Sequence, residues 1–186
     1  MRAIVQNGHP TLRNIAKEIP LDEIGSSFVR EIIADMKALL AKEEFGVAIA
    51  APQVGESIRL FVVAGKNLIK DKRAKKKPGK EEDMDEEYLE GIPEFDEVYI
   101  NPIVVRQSRK KTKKHEGCLS VRGTWGMVPR TEKMTLQAYD ERGKKFERGA
   151  SGFLAHIFQH EMDHLDGVLY IDKATEVFDE QSTDGH

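Results

Sequence analysis

Residues 151–167 read Ser151-Gly152-Phe153-Leu154-Ala155-His156-Ile157-Phe158-Gln159-His160-Glu161-Met162-Asp163-His164-Leu165-Asp166-Gly167. Apolar residues recur on nearly every side of this stretch, and Asp166-Gly167 supplies a glycine stop. The pattern predicts a buried helix of about four turns at ~3.6 residues each. Within it lies a HExxH motif. His160 and His164 are one helical turn apart, so their imidazoles share a face and can bind one divalent metal. Glu161, offset by about 100°, falls beside them as a candidate general base.

A catalytic divalent metal commonly takes three protein ligands and leaves one position for water. Two histidines leave one ligand to find. In the familiar protease arrangement a glutamate or histidine farther along the chain completes the set, and here Glu176 and the terminal His186 are the obvious candidates. The single cysteine of the chain, Cys118 in Glu116-Gly117-Cys118-Leu119-Ser120, is the better ligand in kind. A thiolate suits Fe²⁺ or Zn²⁺, and the preceding glycine permits close backbone approach. A lone cysteine is also often just a small buried hydrophobe.

Outward from the motif, Phe28, Val29, Ile32, Ile33, Met36, Leu39 and Leu40 recur at three- and four-residue steps and predict an amphipathic helix. Ser26 or Ser27 caps it and Gly46 follows its end. Ile58 to Ala64 and Val98 to Val105 read as strands, the second interrupted by Asn101-Pro102, which points to an edge or a bulge. Met134 to Tyr139 alternates, and Asp140-Glu141-Arg142-Gly143 reads as a hairpin turn into Lys144 to Arg148. Residues 66–95 carry a lysine-rich block and then an acidic one, the pattern of a solvated insertion. Arg106, Arg109, Lys110, Lys111, Lys113 and Lys114 form a second basic cluster that lacks interleaved aromatics for base stacking.

The chain of 186 residues, 39% hydrophobic and 33% charged, fits one domain with a sizeable core. Its apolar runs fall far short of the ~18–20 residues of a membrane span. The N-terminal residues lack a secretory apolar core, so the expected compartment is the cytoplasm. One cysteine excludes an internal disulfide. A formal net charge of −3 gives no global attraction to nucleic acid or an anionic membrane. We expect a single catalytic domain over 1–175, with the insertion at about 66–95, and a short acidic tail over 176–186.

Three segments in order, Gly46-Val47-Ala48-Ile49-Ala50-Ala51-Pro52-Gln53, Glu116-Gly117-Cys118-Leu119-Ser120 and Gln159 through Gly167, together resemble the signature motifs of the peptide deformylases. The resemblance runs from about His9-Pro10 to Asp172. It implies an α+β fold with antiparallel β-sheets packed around a central C-terminal helix carrying HExxH. It implies hydrolysis of the N-formyl group from the formylmethionine of nascent chains. Cys118, His160 and His164 would hold one divalent metal, usually Fe²⁺, with Zn²⁺, Ni²⁺ or Co²⁺ as substitutes. Glu161 would move the proton, while Gln53 and the backbone N–H of Leu119 would stabilise the oxyanion. Val47 and Ala48, with Gly117 opposite, would grip the substrate backbone as an added strand. Val47, Glu116, Phe153, His156, Ile157 and His160 would line the methionine pocket.

The chain departs from the family pattern at three places. Ala48 replaces the second glycine of the first motif; Arg122 stands where proline is common and Trp125 falls where many relatives carry arginine, at the outer substrate subsites; and His156, on the pocket side of the metal helix, would add a group titrating near pH ~6–7. The acidic end lacks the basic C-terminal helix by which some relatives dock on the ribosome. The basic cluster at Arg106–Lys114 or the lysines of 66–80 remain as a weak electrostatic contact to ribosomal RNA. No membrane and no specific nucleic acid is expected as a partner. Two other readings stay open: an HExxH endopeptidase of another class, indifferent to loss of Cys118, and a metal- or peptide-binding relative without activity, against which Gln53 and Glu161 argue.

Overall fold

The computed structural model describes residues 1–66, 69 and 91–179. Along the chain run helix α1 (Ser27–Lys42), strands β1 (Ala48–Ala50), β2 (Leu60–Val63), β3 (Glu97–Gln107), β4 (Lys111–Cys118), β5 (Val121–Thr131), β6 (Lys133–Tyr139) and β7 (Lys145–Ser151), helix α2 (Gly152–Leu165), the short helix α3 (Tyr170–Lys173) and strand β8 (Glu176–Asp179). All strand pairs are antiparallel and form two sheets, one in the order β1-β2-β3-β6-β7 and one in the order β4-β5-β8. Helix α2 touches β1, β6 and β7 of the first sheet and β5 of the second. The expected α+β architecture, sheets around a C-terminal helix, is what forms.

The all-round apolarity of 151–167 explains this central position. Leu154, Ala155, Ile157, Phe158, Met162 and Leu165 all lie in the main core, where each large side chain gains ~1.5–3 kcal/mol on leaving water. Phe158 meets Tyr99 edge-on at 5.0 Å, and Tyr99 stacks on Phe61 at 4.6 Å, so helix and sheet share one aromatic cluster. Gly167 ends the helix at φ 71, where a Cβ would strike the Arg13 carbonyl oxygen at 2.6 Å. Only glycine serves both the left-handed turn and the close approach.

Helix α1 forms where periodicity predicts, with the Ser26 hydroxyl accepting from the Val29 N–H at 3.3 Å. Its first stripe residue, Phe28, is instead 51% exposed. Strand β3 carries the predicted irregularity as a register shift between Ile100 and Ile103, but it lies inside the sheet and is not an edge. Asn101 adopts φ 49 there. Its buried amide accepts from the Ile19 N–H at 2.8 Å and donates to the Ile19 carbonyl at 2.7 Å, closing both backbone groups of the N-terminal segment.

Glu176–Asp179 form a strand on β5, with Trp125 opposite Phe178, so the folded domain runs past the expected limit of 175. Residues 180–186, the rest of the expected tail, lie outside the described residues. So does most of the expected insertion at 66–95. Its two ends are described and meet: Val63 pairs with Glu97, the Gly65 N–H donates to Asp96 Oδ1 at 2.8 Å, and the Lys66 N–H donates to the Pro93 carbonyl at 2.7 Å. No helix among the described residues is long and apolar enough to cross a membrane.

Candidate metal centre and cleft

Strand β4 ends at Cys118, after a register shift between Glu116 and Cys118 that opens the ladder at Gly117. Such an irregularity re-aims the side chains that follow it. The result brings Cys118 against the buried face of α2. One ligand atom from each of Cys118, His160 and His164 lies within 4.8 Å of the others, and Cys118 Sγ is 3.3 Å from His164 Nε2. A thiolate and two imidazoles converging on one point are a donor set for Fe²⁺ or Zn²⁺. These residues fit a divalent metal.

Beside them sits Glu116, a carboxylate whose side chain is 1% exposed. Its Oε1 accepts from Arg130 Nε at 2.5 Å and from His156 Nε2 at 2.8 Å. Its Oε2 accepts from Arg130 Nη2 at 2.9 Å and from His160 Nδ1 at 2.8 Å. Arg130 Nη1 also donates to Asp163 Oδ2 at 2.7 Å, and Lys173 Nζ closes the chain on Asp163 Oδ1 at 2.6 Å. Burial opposes ionisation of Glu116, yet the donors from Arg130, His156 and His160 outweigh it and hold the group well below the usual carboxylate range. A carboxylate so bonded fixes the His160 tautomer and leaves Nε2 to face the metal position.

Glu161 is placed differently. Burial raises its carboxyl from 4.5 to about 7, and its Oε2 is buried without a hydrogen-bond partner among the described residues. An acceptor kept unsatisfied beside a donor cluster is suited to taking a proton. Gln53 sits in the short turn after β1, where its Oε1 accepts from the Ala50 N–H at 2.8 Å. That bond fixes the amide, so Nε2 points at Cys118 Sγ, 3.5 Å away, and at Ser120 Oγ, 3.3 Å away. Ser120 in turn donates its backbone N–H to Cys118 Sγ at 3.4 Å. Burial pushes His164 well below the ordinary histidine range and His156 down as well. Burial favours the neutral ring in both.

A cleft of about 790 Å³ opens onto this cluster. Its walls include the sequence-predicted Val47, Ala48, Gln53, Glu116, Gly117, Cys118, Leu119, Phe153, His156, Ile157, His160 and Glu161. Strands β1 and β4 are edge strands of their sheets, so the cleft runs between two sheet edges. A Cβ on Gly117 would meet only the Thr124 carbonyl oxygen, at 4.0 Å. The fold itself leaves room for a side chain there.

Trp125 is not on that wall. It stacks on Phe178 at 4.3 Å and against His115, itself a cleft residue, at 4.8 Å. Glu176, the protease-like alternative for third ligand, lies in β8 and is 3.6 Å from Lys113. His186 lies outside the described residues. Arg130, Asp163 and Ser120 support the site, although the sequence reading gives Arg130 and Asp163 no role in it.

The family model described as Polypeptide deformylase matches residues 1–179. The chain is 40% identical over 171 residues to the chloroplastic/mitochondrial peptide deformylase 1A of Arabidopsis thaliana, covering 91% of this chain and 60% of that longer protein. It is 38% identical to peptide deformylase 2 of Nostoc sp., covering 91% of this chain and 84% of the relative. A Met-Ala-Ser-bound class I type b peptide deformylase from Acinetobacter baumannii superposes with a TM-score of 0.74 at 28% identity, covering 93% of this chain and 98% of that one. With the three motifs, the helix between sheets and a converging Cys/His/His cluster all in place, the chain belongs to the polypeptide deformylase family.

Proposed function

We propose that this chain hydrolyses the N-formyl group from the terminal formylmethionine of newly made polypeptides, the activity of its family. The observation that carries the reading is the cleft between edge strands β1 and β4 that ends at Cys118, His160, His164 and Glu161. An extended peptide end pairs with a free sheet edge through its backbone, which grips any sequence alike. Val47 and Ala48 supply that edge, with Gly117 across the cleft. The apolar surfaces of Val47, Phe153 and Ile157 receive the methionine side chain, a fit for an unbranched thioether. The Met-Ala-Ser peptide bound by the similar Acinetobacter structure is the product such a reaction leaves.

Cys118, His160 and His164 hold one divalent metal, which we take to be Fe²⁺, with Zn²⁺, Ni²⁺ or Co²⁺ able to replace it. Bound there, the metal supplies Lewis-acid polarisation and lowers the pKa of water to ~7. Glu161 accepts the proton of the attacking water and returns it to the leaving amine. The Gln53 amide, locked by Ala50, and the Leu119 N–H face the developing oxyanion.

Protein purified without oxygen is expected to contain iron and to release formate from formyl-Met-Ala-Ser. Gln53→Ala should lower kcat by ~10²–10³, the usual loss for one oxyanion donor. Metal-loaded wild type that releases no formate rejects the reading, and cleavage of internal peptide bonds would favour an endopeptidase. We take the protein to act in the cytoplasm, with a weak contact to the ribosome through Arg106–Lys114. Lys110 is ion-paired with Glu132 at 2.8 Å and Lys113 with Glu176 at 3.6 Å, so the patch is only partly available. Neutralising Arg109, Lys111 and Lys114 should reduce co-sedimentation with ribosomes at low salt, and unchanged co-sedimentation discards the contact.

A further inference from the structure

His156 and His160 lie four residues apart on one face of α2, and both donate to the same carboxylate. Glu116 receives His156 Nε2 on Oε1 at 2.8 Å and His160 Nδ1 on Oε2 at 2.8 Å. Glu116 belongs to β4, two residues before Cys118. One strand therefore carries the third candidate ligand and the carboxylate, and one helix carries the other two ligands and both donors. The pair of bonds clips the helix to the strand across the metal position.

We propose that His156 is a positioning residue for the metal centre: through Glu116 it fixes the separation of Cys118 from His160 and His164 before metal arrives. Three observations support this role. His156 is 7% exposed, so its bond to Glu116 competes with little water. Glu116 can only accept, so Nε2 of His156 must carry the hydrogen, and the ring has one productive orientation. Arg130 grips the carboxylate edge-on but is rooted in β5, the neighbour of β4 in the same sheet. Arg130 therefore orients Glu116 from within its own sheet and reaches α2 indirectly, through Asp163. His156 adds a second direct bond from Glu116 to the helix, one turn before the ligand His160. Phe153, at 5.8 Å and nearly perpendicular, packs against the His156 ring from the cleft side.

The inference rests on Cys118, His160 and His164 being the ligands, and its test does not use activity. Co²⁺ is titrated into metal-free protein against a chromophoric chelator, and the visible spectrum of the Co²⁺ protein is recorded. Wild type should bind one equivalent and Cys118→Ala should not, which tests the ligand set by itself. His156→Gln places a side-chain N–H near the position of Nε2 and should bind within about threefold of wild type with the same spectrum. His156→Leu and His156→Asn, which cannot reach Glu116, should bind ~10–100-fold more weakly, the usual cost of losing such a partner, with altered Co²⁺ bands. Metal-free unfolding curves identify any variant that fails to fold. Folded His156→Asn or His156→Leu with wild-type affinity and spectrum overturns the proposal, as does a His156→Gln variant no better than either.

Discussion

Replacing Glu161 by glutamine is expected to lower formate release by ~10²–10⁴-fold while the protein keeps its metal, because only the proton-transfer group is removed. The same substitution should make the metal-free protein more stable. Burial raises the Glu161 carboxyl from 4.5 to about 7. Between those values the folded chain holds a proton that the unfolded chain has lost. Stability therefore falls as pH rises from 4.5 through about 7. At ~1.4 kcal/mol per pKa unit the penalty above pH 7 is ~3 kcal/mol. Glutamine does not titrate and avoids it. Denaturation of both proteins in chelator at pH 5 and pH 8 measures the effect, with the gap between them opening at pH 8. A constant gap across this range rejects the assignment, and retained turnover in Glu161→Gln rejects its role as base.

The second large effect falls first on stability. Arg130→Met removes a guanidinium that is 4% exposed in its side chain and bonded to Glu116 at 2.5 and 2.9 Å and to Asp163 at 2.7 Å. The methionine fills much of the volume but leaves Glu116 as a buried anion without its main counter-charge. Breaking one partner of such a pair typically costs ~3–5 kcal/mol, a large share of the ~5–15 kcal/mol that stabilises a domain. Asp163 suffers less, since Lys173 stays bonded to it at 2.6 Å. Urea denaturation should show the loss, and adding Glu116→Gln to Arg130→Met should recover part of it. A loss under ~1 kcal/mol, or no recovery in the double variant, excludes this account. Metal affinity should drop in parallel, because His160 loses a fixed acceptor.

Periodicity carried those elements whose side chains divide cleanly between water and core. Helices α1 and α2 and strand β6 show in the chain because Ile32, Met36, Phe158 and Leu136 recur at the intervals their backbone geometry imposes. Strands β4 and β5 do not. Lys111 to His115 are all exposed, and Gly123, Gly126 and Pro129 interrupt β5, so neither has the β-branched alternation of a typical strand. Strand β8 reads as an acidic tail until Phe178 meets Trp125. The site followed the same division. Cys118, His160, Glu161 and Gln53 were legible because motif spacing constrains them, and the structure brings them together. Arg130 and Asp163 were not, since a charge destined for a buried network looks, in one dimension, like any solvated charge.

The junction between β2 and β3 has a use beyond the native chain. Val63 and Glu97 face one another as ladder partners, and the bonds from Gly65 to Asp96 and from Lys66 to Pro93 pin the two strand ends together. Loop-closure entropy grows only with the logarithm of length. Foreign sequence spliced between these pinned ends, such as an affinity tag, a fluorophore acceptor or a small folded module, is therefore carried at low thermodynamic cost. The junction is a port on the scaffold through which this enzyme can be labelled, immobilised or recruited.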